Sequence, residues 1–178
     1  MKLRATEIIE ILQKNLGVNV GRHLYAVLGT YESLEQFSKT VLPHVKDDGT
    51  PFPKPVSINH VLIESFDTEE LQDVISKESR RPQNTQARLN NALEAFLRKS
   101  LEIEDFLILQ HCELIFAYSL DVSKLRLAAS NQKHLLILLP GEMRGNQIYL
   151  FHEAASDEVL KFDNQLFAEN NIWELADE

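Results

Sequence analysis

Two short runs that are apolar at every position constrain this chain most. They are Phe106-Leu107-Ile108-Leu109 and Leu135-Leu136-Ile137-Leu138-Leu139. Neither has a polar side to turn to water, so each needs cover on both faces. Between them, residues 121–130 place Val122, Leu125, Leu127 and Ala129 at helical spacing. A run, a helix and a second run predict two adjacent parallel strands, because a parallel pair needs a crossover and is buried on both sides.

The remaining segments extend this core. Residues 24–28 read as a further buried strand, Gly29-Thr30 as a turn, and residues 32–42 as a helix with Leu34, Phe37, Ser38 and Val41 on one side. Upstream, residues 1–17 form an amphipathic helix with Leu3, Ile8, Ile9, Leu12 and Leu16 as its stripe and Gly17 as its stop. Residues 43–55 hold four of the six prolines and read as a long loop. Residues 56–63 are expected to be a strand. Asp67 or Thr68 starts a helix with Glu69 and Glu70 in its first turn and Leu71, Val74 and Ile75 inward. Residues 76–86 are expected to be a polar connection and residues 87–100 a helix. After the second apolar run, residues 140–146 read as a turn into a strand at 147–151. Its hairpin partner is expected at 159–162, followed by a short helix at 164–169 and a docked Trp173 in an acidic tail at 173–178, fraying from Glu174. The expectation is one α/β domain over residues 1–178, with a three-layer, mostly parallel sheet of about five strands, helices on both faces and a C-terminal hairpin.

Charge and reactive residues narrow the function. A formal net charge of −9 speaks against nucleic-acid binding over the whole surface. The densest basic region, Arg80, Arg81, Arg88, Arg98 and Lys99, is read first as a solvated face and second as a nucleic-acid contact. Cys112 is the single cysteine, which excludes a disulfide framework and a cysteine zinc site. His111-Cys112-Glu113 are neighbours in sequence and do not point to one centre. The other histidines, His23, His44, His60, His134 and His152, are dispersed. No metal site and no catalytic residue are expected. The longest apolar runs are far short of the roughly 20 residues of a membrane span, and Glu7 and Glu10 break any signal-peptide core, so the expected location is the cytoplasm.

Strand, glycine turn and helix is also how nucleotide-binding α/β domains begin. A phosphate-binding loop needs GxxxxGK[ST], whose N–H groups wrap phosphates while the lysine reaches the terminal ones. From Gly29 to Gln36 this chain has Leu34 at the second glycine and Glu35 at the lysine, and Lys39-Thr40 comes more than a turn late. The strand-end position that would hold magnesium is the neutral Gln110; Glu113, three residues on, is either a crevice carboxylate or a helix cap. A nucleotide-like site would therefore consist of Gly29, Thr30, Gln110 and Glu113. No cofactor is expected, with ATP and magnesium as the alternative. Arg144, in the 140–145 turn, is the exposed anchor for a partner.

The central stretch resembles BrxF, the small P-loop protein of bacteriophage-exclusion (BREX) defence systems. The resemblance lies in Leu107-Ile108-Leu109-Gln110-His111-Cys112-Glu113-Leu114-Ile115-Phe116, Leu125-Arg126-Leu127, residues 135–140, Gly141-Glu142 and Ile148-Tyr149. It implies a P-loop NTPase-like fold whose phosphate loop and strand-end aspartate are lost. That in turn implies a non-catalytic adaptor or scaffold whose partners are other proteins of the same defence system. A nucleotide binder or ATPase with a non-standard site is the first alternative. A nucleic-acid-binding accessory using Arg80, Arg81, Arg88 and Arg98 is the second.

Overall fold

The computed structural model describes residues 2–77, 82–151, 160–168 and 170–176. In chain order the elements are β1 (Lys2–Leu3), α1 (Ala5–Leu16), β2 (Leu24–Gly29), α2 (Tyr31–Val41), β3 (Val56–Ser57) and α3 (Ile58–Glu64). They continue with α4 (Thr68–Lys77), α5 (Pro82–Ile103), β4 (Phe106–Gln110), α6 (Glu113–Ala117), α7 (Ser123–Ala128) and β5 (His134–Arg144). The chain closes with β6 (Gln147–Leu150), β7 (Leu160–Asp163), a 3-10 turn at Asn164–Leu166 and β8 (Ile172–Leu175).

The sheet order is β1-β8-β2-β5-β4-β3, every neighbouring pair parallel. The apolar runs sit at its centre, with β5 between β2 and β4; Ala26 lies opposite Ile137, and Leu107 opposite Leu135. Because side chains alternate across a strand, each run supplies both faces. Leu24, Ala26, Leu28, Leu107, Leu109 and Ile137 form one core with residues of α3, α5, α6 and α7. Tyr25, Val27, Phe106, Ile108, Leu136 and Trp173 form the other with α1 and α2. The result is three layers with a parallel sheet in the middle.

Five expectations are corrected. Residues 1–17 are helical only over Ala5–Leu16, because Lys2 and Leu3 form β1 and pair with Glu174 and Leu175 of β8. Residues 56–63 are a strand only at Val56–Ser57, after which the chain turns helical. Ser57 caps that helix by accepting from the His60 N–H, and Ile58 and Leu62, one turn apart, are its buried pair while Ile63 is exposed. Residues 140–144 are strand rather than turn: β5 runs on through Pro140, exchanging its parallel partners for the antiparallel β6 at Gly141. A side chain at Gly141 would run into the Tyr149 carbonyl, and the reversal falls at Gly145-Asn146, where Gly145 has φ 63°. In the 76–86 segment Ser76 and Lys77 still belong to α4, and the chain is helical again from Pro82 onward, proline being suited to a first helical position. Residues 174–176 do not fray. Trp173 and Leu175 are buried in β8, which pairs with β2 and β1, and the Ala176 N–H donates to the Leu3 carbonyl at 2.9 Å.

Candidate functional site

The parallel strands β2, β5 and β4 end together, and this carboxyl end is where open α/β sheets bind ligands. On β2 the last residue is Gly29. Thr30 is extended and caps α2: its Oγ1 accepts from the Ser33 N–H at 3.0 Å, and Ser33 Oγ donates to the Thr30 carbonyl at 3.1 Å. Ser33 Oγ lies 2.5 Å from where a Cβ on Gly29 would sit, and Leu175 Cδ1 lies at 3.3 Å. The glycine is thus explained by close packing of its own helix and of β8. Glu32 stands in the first helical turn. Glu35 follows, and the Lys39 ammonium, donating to it at 2.7 Å, holds its carboxyl below the usual range. Thr40 Oγ1 donates back to the Gln36 carbonyl, so Lys39 and Thr40 both serve α2 itself.

Gln110 ends β4. Ser38 Oγ lies 3.2 Å from Gln110 Oε1 and 2.9 Å from the Leu34 carbonyl, so its one proton is shared between the two. This pair lines a cleft of about 620 Å³ between α2 and the strand ends. Leu34, Leu42, Pro55, Leu138 and Pro140 give its apolar lining; Tyr31, Glu35, Lys39 and His111 also border it. Thr30 lines a different hollow of about 370 Å³, with Ser33, Gln36, Thr40 and Leu175. Helix α2 therefore separates the two halves of the expected nucleotide-like site: Thr30 faces one hollow, Gln110 the other.

Glu113 lines neither hollow. Its Oε2 accepts from Asn59 Nδ2 at 2.7 Å. Asn59 Oδ1 in turn accepts from the Leu114 N–H at 3.0 Å, and the Asn59 N–H donates to the His111 carbonyl at 2.9 Å. Asn59 thus fastens α3 to the turn after β4, where His111 has φ 50°. Glu113 itself caps no N–H of α6: it is the first residue of that helix, its carboxylate is held by the Asn59 amide, and Asn59 accepts from the Leu114 N–H in its place.

Among the described residues the basic candidates do not assemble. Arg80 and Arg81 lie outside the described residues. Arg88 is paired with Glu70 and stacks 4.5 Å over the Phe66 ring. Arg98 is exposed, beside Glu94, and sits roughly 15 Å further along α5 than Arg88, at 1.5 Å per residue. Arg144 is exposed on the antiparallel ribbon, where it pairs with Glu142 and lies 4.8 Å over Tyr149, whose ring Lys161 also approaches at 5.0 Å.

Cys112 is fully buried, and burial pushes its thiol well above the usual range, so it packs as a small hydrophobe. No group of three or more metal-ligating side chains occurs among the described residues, and no helix among them is long and apolar enough to cross a membrane.

Residues that look dispersed in the sequence do meet at the opposite end of the sheet. Tyr25 Oη lies 3.3 Å from both His23 Nδ1 and His134 Nδ1, and the two imidazoles lie tilted by 30° with centroids 4.2 Å apart. A hydroxyl that donates to one Nδ1 and accepts from the other would join the three side chains. Burial pushes Tyr25 up to about 12 and, with the neighbouring His23, His134 down to about 4; burial lowers His23 as well. His23 Nε2 is buried and makes no hydrogen bond.

Sequence reasoning overlooked Ser38 and Asn59. For Ser38 there was a signal, a lone hydroxyl on the buried side of α2; for Asn59 there was none, because its partners lie more than fifty positions away.

No protein-family model matches this chain, and no curated protein or solved structure does either. Fold and site define a three-layer α/β domain with a mostly parallel sheet, an apolar cleft beside its second helix and a glycine turn closed by its own side chains.

Proposed function

We propose that this chain is a non-catalytic, P-loop-like domain that binds another protein, as an adaptor in a bacterial anti-phage defence assembly. One observation carries the non-catalytic part: the turn after β2 is filled. Ser33 Oγ occupies the space above Gly29, Thr30 already accepts from the Ser33 N–H, and Glu35 stands where a phosphate-binding lysine would be. A triphosphate needs free N–H groups and a cation there. These residues do not fit it, and Gln110, hydrogen-bonded to Ser38, is a poor ligand for magnesium. Placement of β5 between β2 and β4 also differs from the dinucleotide-binding order, in which the first two strands of the unit are neighbours. The defence assignment rests on the resemblance of residues 106–149 to BrxF.

The adaptor surface is the 620 Å³ cleft, where Tyr31 and Leu42 are exposed above an apolar floor. An apolar side chain of a partner seats there. The test is co-purification of tagged protein with the products of neighbouring genes, comparing wild type with Leu42→Glu and Tyr31→Glu. Loss of an apolar anchor is worth about 1–2 kcal/mol, roughly five- to thirty-fold in Kd. The expected result is retained thermal stability with that loss of binding. Equal retention by wild type and both variants, or no retained partner, rejects the cleft as the adaptor surface.

A further inference from the structure

Gln110 lines the cleft half-buried, with only one end of its carboxamide in use. Ser38 Oγ lies 3.2 Å from Gln110 Oε1, which turns the other end away from α2. Among the described residues nothing accepts from Gln110 Nε2. The charged groups at the border differ: Glu35 and Lys39 pair with each other, and with His111 they are exposed. Pro55 and Pro140, in the apolar lining, have no N–H to offer. An apolar group that fills the cleft therefore takes water away from Gln110 Nε2. A buried amide N–H left without an acceptor costs more than an ordinary hydrogen bond returns. An occupant that carries an acceptor beside its apolar group avoids that cost, and one that carries only hydrocarbon or a cation does not.

We infer that Gln110 selects the occupant of the cleft, and that this occupant is an extended segment of the partner protein, with an apolar side chain in the cleft and a free main-chain carbonyl on Gln110 Nε2. The inference rests on the cleft being the adaptor surface. The same donor discriminates against a helix face. A carbonyl inside a helix already accepts from the N–H four residues on, whereas one in an extended segment outside a sheet is free. In such a segment every apolar residue carries that carbonyl next to its own side chain. The bond from Ser38 holds the carboxamide in place before the partner arrives, so little ordering is left for binding to supply.

NMR titration of isotope-labelled protein with the blocked tripeptide acetyl-Pro-Leu-Pro-amide tests this, because the prolines keep the leucine extended and its carbonyl free. The expected result is a saturable downfield shift of the Gln110 side-chain amide, together with shifts at Leu34 and Leu42. Gln110→Met, which keeps the length and removes the donor, should weaken binding about three- to tenfold. Ser38→Ala keeps the donor but loosens its orientation, and should weaken binding less. Isoamylammonium, an apolar chain that brings donors only, should bind Gln110→Met at least as well as wild type. Equal affinity of the tripeptide for wild type and Gln110→Met, or tighter binding of isoamylammonium to wild type than to Gln110→Met, overturns the inference while leaving the cleft as an adaptor surface. A tripeptide that shifts no cleft resonance also overturns it, and the adaptor reading then stands or falls on co-purification with Leu42→Glu and Tyr31→Glu.

Discussion

Acid should destabilise this protein through His134 before its carboxylates titrate. In the fold His134 shares the Tyr25 hydroxyl with His23, packs against the tilted His23 ring and is 3% exposed. The groups facing this cluster are Asp105, whose carbonyl accepts from the His134 N–H at 2.8 Å, and Lys46, which is paired with Asp105. Burial and His23 push His134 from the usual 6.5 down to about 4. The unfolded chain therefore takes up a proton near pH 6.5 that the folded chain refuses until near pH 4. Stability is level above about pH 7, falls as pH drops through 6.5, and levels off again below about 4 for this group. Between pH 7.5 and 5 the loss amounts to about 2 kcal/mol, and over the full shift to about 3 kcal/mol. For a chain of this size, 2 kcal/mol is roughly a 4–8 °C fall in Tm. His23, lowered by burial, acts in the same direction. Urea melts at pH 7.5, 6.5, 5.5 and 5.0 on wild type and His134→Phe measure it. The variant loses the Tyr25 contact and is weaker at pH 7.5, but it should lose about 2 kcal/mol less than wild type on the way to pH 5. A wild type whose stability is flat or rises over that interval, or a variant with the full wild-type slope, refutes the buried neutral cluster.

Two further substitutions probe the frame around the cleft. Gly141→Ala sets a methyl against the Tyr149 carbonyl where β5 changes partners, and overpacking of that kind costs about 1–3 kcal/mol in a denaturant melt; a neutral Gly141→Ala would mean that β5 does not run through Pro140 as described. Asn59→Ala removes the hydrogen bonds to Glu113 and the Leu114 N–H and should cost about 1–3 kcal/mol. Adding Glu113→Ala to it should cost little more, because the two residues share one bond; fully additive losses would contradict that coupling.

The parts of the fold legible in the sequence are those whose pattern has one solution. The all-apolar runs of β4 and β5, and Leu24 to Leu28 in β2, fit only strands covered on both faces, and they carry the three-layer α/β architecture. Elsewhere local signals competed with tertiary contacts. Ile58, Val61 and Ile63 are β-branched, yet a Ser57 cap and the one-turn spacing of Ile58 and Leu62 make a helix. Pro140-Gly141 is a common turn signal, but Pro140 falls where β5 leaves β2, and Gly141 is needed for close approach to β6. β8 alternates, Ile172-Trp173-Glu174-Leu175, within an acidic segment, and only the free edge of β2 makes it a strand. At the candidate site, Gly29, Thr30 and Gln110 were legible as strand ends. Their separation by α2 was not, because it depends on how that helix lies across the sheet.

The central claim is that the turn after β2 has lost its capacity to hold phosphates. Thermal unfolding with ATP, ADP and GTP, each with magnesium up to millimolar concentration, addresses it most directly. A ligand at 100 times its Kd stabilises a protein by about 2.7 kcal/mol, which for a chain of this length is roughly 5–10 °C in Tm. The account predicts no saturable rise with any of the three. A saturable rise with one of them, abolished by Thr30→Ala or Gln110→Ala, would contradict it.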